Sequence, residues 1–135
     1  TAVRVAADPI PDRRVNLLDV ATLGPNDAWG VGYVSIPCGE NVCADGEIQH
    51  WDGARWTRVA TIPDVWILGV HAISPTDVWA STTTGLLHFD GTAWTRVATP
   101  TASLADVTAT PSGTVWAVGS TSFSGSPAST VVLRG

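Results

Sequence analysis

Residues 50–63 read HWDGARWTRVATIP and residues 88–100 read HFDGTAWTRVATP. A chain that repeats itself so closely is built from copies of one supersecondary unit, and those copies must bury their apolar faces on one another. Placing VATLGPNDAW (20–29) over VHAISPTDVW (70–79) and VTATPSGTVW (107–116) brings out a third copy. Val20, Val70 and Val107 are each followed nine residues later by Trp29, Trp79 and Trp116, with the turns GPND, SPTD and TPSG between. After each Trp comes a short apolar run, then a loop of variable length, then EIQHW, LLHF or TVVLR. Two copies continue through Asp52-Gly53 and Asp90-Gly91, dipeptides suited to tight hairpins because they tolerate positive φ.

Each unit reads as four short strands, in the first copy LLDVATL, AWGVGYV, EIQHW and RWTRVA. The density of Pro and Gly leaves no room for an ordinary helix. Four strands in about 40–45 residues with an aromatic signature describe a β-propeller blade. The expected fold is therefore all-β, a propeller with three blades per chain, at 16–63, 66–100 and 103–135. The third copy ends after its third strand. TAVRVAADP (1–9) resembles TAWTRVATP (92–100), so residues 1–9 are expected to supply the missing outer strand of that blade. Three blades are too few for a ring, since propellers typically carry four to eight. The chain is thus read as a half-propeller that pairs with itself, a homodimer forming one six-bladed ring; the alternative is a fragment of a larger propeller completed by a different chain.

The pattern L-x-x-V-x-A…D-V-W-A-V-G…H-W-D-G-x-x-W-x-x-V resembles that of bacterial secreted Trp-rich β-propeller repeats, and the resemblance covers nearly the whole chain. It implies the fold and says little of function, because the motif residues are packing and turn residues. The assembly expected here is also similar, in architecture alone, to that of small bacterial propeller lectins, which build a six-bladed ring from short identical chains; none of their sugar-site motifs is matched.

Cys38 and Cys43 enclose GENV in a segment rich in turn formers. No third metal ligand lies near, so the pair reads as a disulfide across a loop tip and places the protein in an oxidising, extracellular compartment. The net charge of −5 disfavours a nucleic-acid backbone as partner. No stretch approaches the roughly eighteen apolar residues of a membrane span, so no membrane insertion is expected.

Repeated residues hold the blades together, so a site should lie where the copies differ. The loops after each second strand vary, and so do the links between blades. Strand alternation places both sets on one face. That face is expected to carry Tyr33, Glu40, Asn41, Glu47, Asp64, Trp66 and Phe123, with Asp12, Arg13 and Arg14 from the N-terminal link. Trp66 stands where the other copies have Asn16 and Ser103. Among these, Trp66, Tyr33, Asp64, Glu47, Arg13 and Arg14 form the candidate ligand set, an aromatic platform ringed by carboxylates and guanidinium groups that could hold a sugar. Asp19, His71 and Asp106 flank the repeated Val of the first strand and are candidates for a channel lining. His50 and His88 recur at matching strand ends, which favours a structural hydrogen bond over catalysis. There is no nucleophile elbow, phosphate loop or metal-ligand spacing, and no cofactor or catalytic residue is assigned. Three functions follow: a carbohydrate-binding module, a protein- or peptide-binding scaffold, and a lyase or hydrolase at the channel mouth using His71 and Asp19.

Overall fold

The computed structural model describes residues 13–121 and 129–134. Eleven strands and no helix occur among them, so no helix there could cross a membrane. Strands β1 (Arg14–Gly24), β2 (Asp27–Cys38), β3 (Asn41–Trp51) and β4 (Trp56–Ile62) form one antiparallel sheet in sequential order. Strands β5 (Ile67–Ser74), β6 (Asp77–Thr82), β7 (Gly85–Phe89) and β8 (Trp94–Val97) form a second. Strands β9 (Ser103–Ala109), β10 (Val115–Thr121) and β11 (Ser129–Arg134) form a third. Each sequence repeat is thus one meander, and none of the sheets closes on itself. Residues 1–9, Asp12 and Phe123 lie outside the described residues.

The repeated dipeptide Asp-Gly works through both of its residues. Gly53 and Gly91 take φ of 95° and 94°, a region that a side chain strains. The Asp52 carboxylate accepts the N–H groups of Ala54 and Arg55, each at 2.9 Å. Asp90 accepts those of Thr92 at 2.8 Å and Ala93 at 2.9 Å. These bonds pull both carboxyls below the ordinary Asp value of 3.8, those from Arg55 and Ala93 most strongly.

The sheets stack face to face. Trp29, Val31 and Ile48 of the first sheet pack against Ile67, Val70, Val78, Ala80 and Leu87 of the second. The opposite face of the second sheet offers Ile73, Trp79, Leu86 and Val97 to Leu104, Val107, Val115 and Ala117 of the third. The second sheet is therefore apolar on both sides, whereas each outer sheet, among the described residues, meets a neighbouring sheet on one side. The first strands β1, β5 and β9 lie side by side. There the Asp19 carboxylate accepts the Val70 N–H at 2.9 Å, joining the first sheet to the second.

Most of the Trp residues belong to this scaffold. Trp29 packs on Phe89 and Trp94 across the sheet interface, with ring centroids 5.1 and 5.7 Å apart. Its neighbour on β3 is His50, whose Nε2 bonds Asp27 at 2.7 Å. The second sheet repeats the group: His88 stacks on Trp79, and Asp77 bonds both His88 Nε2 and Trp79 Nε1 at 2.9 Å. In the third sheet the strand register sets Arg134 at the place of His50 and His88, opposite Trp116. Its guanidinium lies 5.4 Å from the Trp116 ring centroid, so a cation–π contact takes the place of the imidazole.

Candidate functional site

The first and second sheets meet at one end in a surface built from unrepeated residues. Tyr33 on β2 stacks on Trp66, with ring centroids 4.4 Å apart and planes 12° from parallel. Trp66 precedes β5, in the link between the two sheets. That link lies close against β3 because Gly46, the residue paired with Tyr33, has no side chain; a Cβ there would press on Ile67 and Val65. Val65 is buried beneath.

The backbone around Trp66 is held from three sides. Its N–H donates to Thr83 Oγ1 at 3.2 Å, and the Thr83 N–H donates to its carbonyl at 3.0 Å. Asp64 adopts a left-handed φ of 58°, which Asp tolerates better than most residues. Its N–H donates to Asp45 Oδ1 at 3.1 Å. Arg96 crosses from β8 and donates to the Pro63 carbonyl at 3.3 Å and to Thr84 Oγ1 at 3.2 Å. The indole itself is 45% exposed. A fixed backbone thus presents a half-open aromatic ring, an arrangement that needs little ordering when something binds.

Beside it lies a shallow open pocket of about 460 Å³ lined by Cys43, Ala44, Asp64, Val65, Trp66 and Thr83. Cys38 and Cys43 form a disulfide with Cα atoms 5.8 Å apart, cross-linking the β2–β3 hairpin that makes one wall. Gly39 turns the hairpin tip at φ 66°. A smaller pocket of about 290 Å³ opens between the second and third sheets, beside Trp79, Leu86, Val97, Val115 and Arg134; it is apolar.

The structure therefore brings Trp66, Tyr33 and Asp64 together. Arg14 is exposed at the start of β1, in register with Ser35, while Asn16 pairs with Tyr33; this sets Arg14 two positions along from the stack. Arg13 precedes it and is partly buried. Glu47 does not belong to this surface. It lies in the middle of β3, fully buried, with the Arg58 Nε at 2.8 and 2.9 Å from its two oxygens and Gln49 Nε2 at 2.9 Å. It ends the variable loop in sequence, but β3 begins six residues earlier, at Asn41, because the disulfide hairpin extends the ladder through the loop. Glu40, Asn41 and Val42 are exposed at the hairpin tip.

The channel candidates are engaged in the scaffold. Asp19 caps Val70, and Asp106 accepts the N–H of its own neighbour Val107 at 2.8 Å. His71 lies in register with Trp79, and no hydrogen bond joins it to Asp19. Among the described residues no group of three His, Cys, Asp or Glu could hold a metal ion. Nothing in the sequence marked Asp45, Thr83 or Arg96 as supports of the site. They act through contacts to the backbone of the link at residues 63–66, which no local pattern encodes. No protein-family model matches the chain, and no curated protein matches it.

Proposed function

We propose that this chain is an extracellular binding module, one half of a six-bladed β-propeller, that holds carbohydrate on the Tyr33–Trp66 surface. The observation that carries the reading is the rigid, half-exposed Trp66 ring set beside Asp64 and an open pocket. The C–H face of a pyranose stacks on an indole, while carboxylates and hydroxyls take its hydroxyl groups; pockets of this kind combine an apolar floor with a few placed polar groups. The three sheets correspond to three blades. Residues 1–9 would complete the last blade, and two chains would close the ring as a homodimer. The Cys38–Cys43 disulfide is compatible with an oxidising compartment.

The surface occurs once among the described residues. The strand registers set Thr83 and Ser103 at the second-to-third sheet junction where Tyr33 and Trp66 stand at the first-to-second. A ring of two chains would then carry two sites. A glycan array, read against a buffer blank and repeated with Trp66→Ala, tests the proposal. Discrete sugar hits that vanish in the variant support it. An array without hits, or hits that survive Trp66→Ala, would reject this surface as the sugar site.

A further inference from the structure

We infer that a second copy of this chain docks with its first sheet on the outer face of the third sheet, seating Trp116 on the second copy's Trp51 and Trp56 and offering Asp106 to the N–H of its Val20. The inference rests on the half-propeller reading above and is independent of the sugar reading.

The chain already makes this contact internally. Val20, Val70 and Val107 hold one position on the first strand of each sheet. Val70 and Val107 are covered by the preceding sheet and are 6% and 4% exposed, whereas Val20, before which no sheet stands among the described residues, is 61% exposed. At the other end the order reverses. Trp29 is 5% exposed beneath the second sheet, while Trp116, its counterpart, is 41% exposed. Val118 and Val132, in register with each other on the same face as Trp116, are also exposed; their counterparts Val31 and Ile48 are fully buried. The two ends of the stack are therefore the two halves of an interface that the molecule repeats in its middle. Exposed apolar side chains gathered at the two ends of a stack mark an interaction surface.

The internal interface also says which side chains meet. Trp29 rests on Phe89 and Trp94 of the following sheet. The residues holding those positions in the first sheet are Trp51 and Trp56, paired in the same register as Phe89 and Trp94. They form the seat for Trp116.

A polar contact fixes the alignment. Asp19 reaches from the first sheet to the Val70 N–H of the second. The equivalent residue of the second sheet is Gly69, and Val107 is capped instead by its own neighbour Asp106. Asp returns at this position only in the third sheet, after which no sheet stands among the described residues. One Asp106 oxygen serves Val107, and the carboxylate has a second. Among the described residues no side chain caps the Val20 N–H, the group equivalent to the one that Asp19 binds. A contact between unlike faces either closes or grows into a filament. Three sheets from each of two copies give six, within the range that closes.

Light scattering coupled to size exclusion, from about 1 to 100 μM, tests this. The unsubstituted 135-residue chain should run near twice its 14.1 kDa. Trp116→Arg and Val20→Glu should each run as single folded chains, because both positions are exposed in the single chain. Mixed together they should recover the two-chain mass: one junction is then native on both sides and the other sets Arg opposite Glu. Asp106→Ala should raise the dissociation constant about ten- to hundredfold, the worth of one hydrogen bond at each of the two junctions, and Asp106→Asn, which keeps an oxygen acceptor, should raise it less. A dimer that withstands both face substitutions, or a mixture that stays single, would overturn this docking while leaving self-association in place. An unsubstituted chain of single-chain mass at 100 μM would overturn the half-propeller reading with it.

Discussion

Replacing Trp66 by Ala separates a platform from a core residue, because the two roles differ in how much stability the ring supplies. A large aromatic side chain buries about 150–250 Å² when fully enclosed. Trp66 is 45% exposed, so somewhat more than half its surface, about 100–130 Å², is covered, in part by Tyr33. At about 25 cal/mol per Å² this amounts to about 3 kcal/mol. The unfolded chain already shields part of that area, which lowers the figure to about 2 kcal/mol. The stack on Tyr33 adds about 0.5–1.5 kcal/mol. The backbone bonds to Thr83 do not need the indole and survive the change. The expected cost is therefore about 2.5–3.5 kcal/mol, at the low end of or below the 3–5 kcal/mol typical of a core Trp. For a domain of this size it lowers the melting temperature by about 8–17 °C. Trp66→Phe keeps a stacking face and should cost about 1 kcal/mol.

Urea unfolding followed by circular dichroism reads the stability, and a binding isotherm on an array-selected sugar reads the function. Sugar affinity should fall by about 1–3 kcal/mol in Trp66→Ala, by analogy with stacking of bases on aromatic side chains. A stability loss above about 4 kcal/mol would mean that the ring is core and the platform argument fails. A loss under about 0.5 kcal/mol would mean that the Tyr33 stack does not hold the ring in solution.

Three further outcomes follow from the same geometry. Glu47→Ala should destabilise by about 3 kcal/mol, because it removes the fully buried carboxylate of the Glu47–Arg58 ion pair and the acceptor of the Gln49 amide; equilibrium unfolding checks it, and Glu47→Ala should leave sugar binding by the folded fraction unchanged. Asp52 and Asp90 have lowered values in the folded state, so their stabilisation is complete above their unfolded value near 3.8 and is lost as pH falls through the folded ones. The double variant Asp52→Asn, Asp90→Asn should therefore show a weaker fall in stability between about pH 4 and pH 2 than the unsubstituted chain. Reducing the Cys38–Cys43 bond should cost only about 2 kcal/mol, since it closes a loop of five residues' separation; intact mass after alkylation without reductant checks the bond itself, and two alkylated thiols in protein from an oxidising compartment would refute it.

The meanders were legible because turn chemistry is local. Asp-Gly sets φ at Gly53 and Gly91 and supplies a carboxylate for the next N–H groups, and both effects act within a few residues. The spacing of Val and Trp was legible for a related reason: one position in each copy faces the same kind of neighbour. What the repeat hid was which neighbour. Trp29, Trp79 and Trp116 are equivalent in sequence, yet one is buried, one partly buried and one exposed, because the number of sheets that follow each is a property of the stack. The same holds for Arg134, which takes the place of His50 and His88 only once the β10–β11 register is known.

Glu47 shows the limit most clearly, and it separates two kinds of departure from a repeat. In the sequence, Glu47 and Trp66 look alike: each stands where its counterparts are of another type. The structure turns one inward and the other outward. Glu47 faces along the sheet to Arg58, eleven residues on and paired only through the β3–β4 hairpin, so its departure is compensated within its own sheet. Trp66 is met by Tyr33 from the preceding sheet, and the pair leaves the indole half open. Neither Tyr33 nor Trp66 satisfies a buried polar group or fills the core. A departure that a partner residue absorbs serves the scaffold. A departure that costs ordering of the link at residues 63–66, with its left-handed Asp64, and still leaves apolar surface in water is the one on which the proposed sugar site is built.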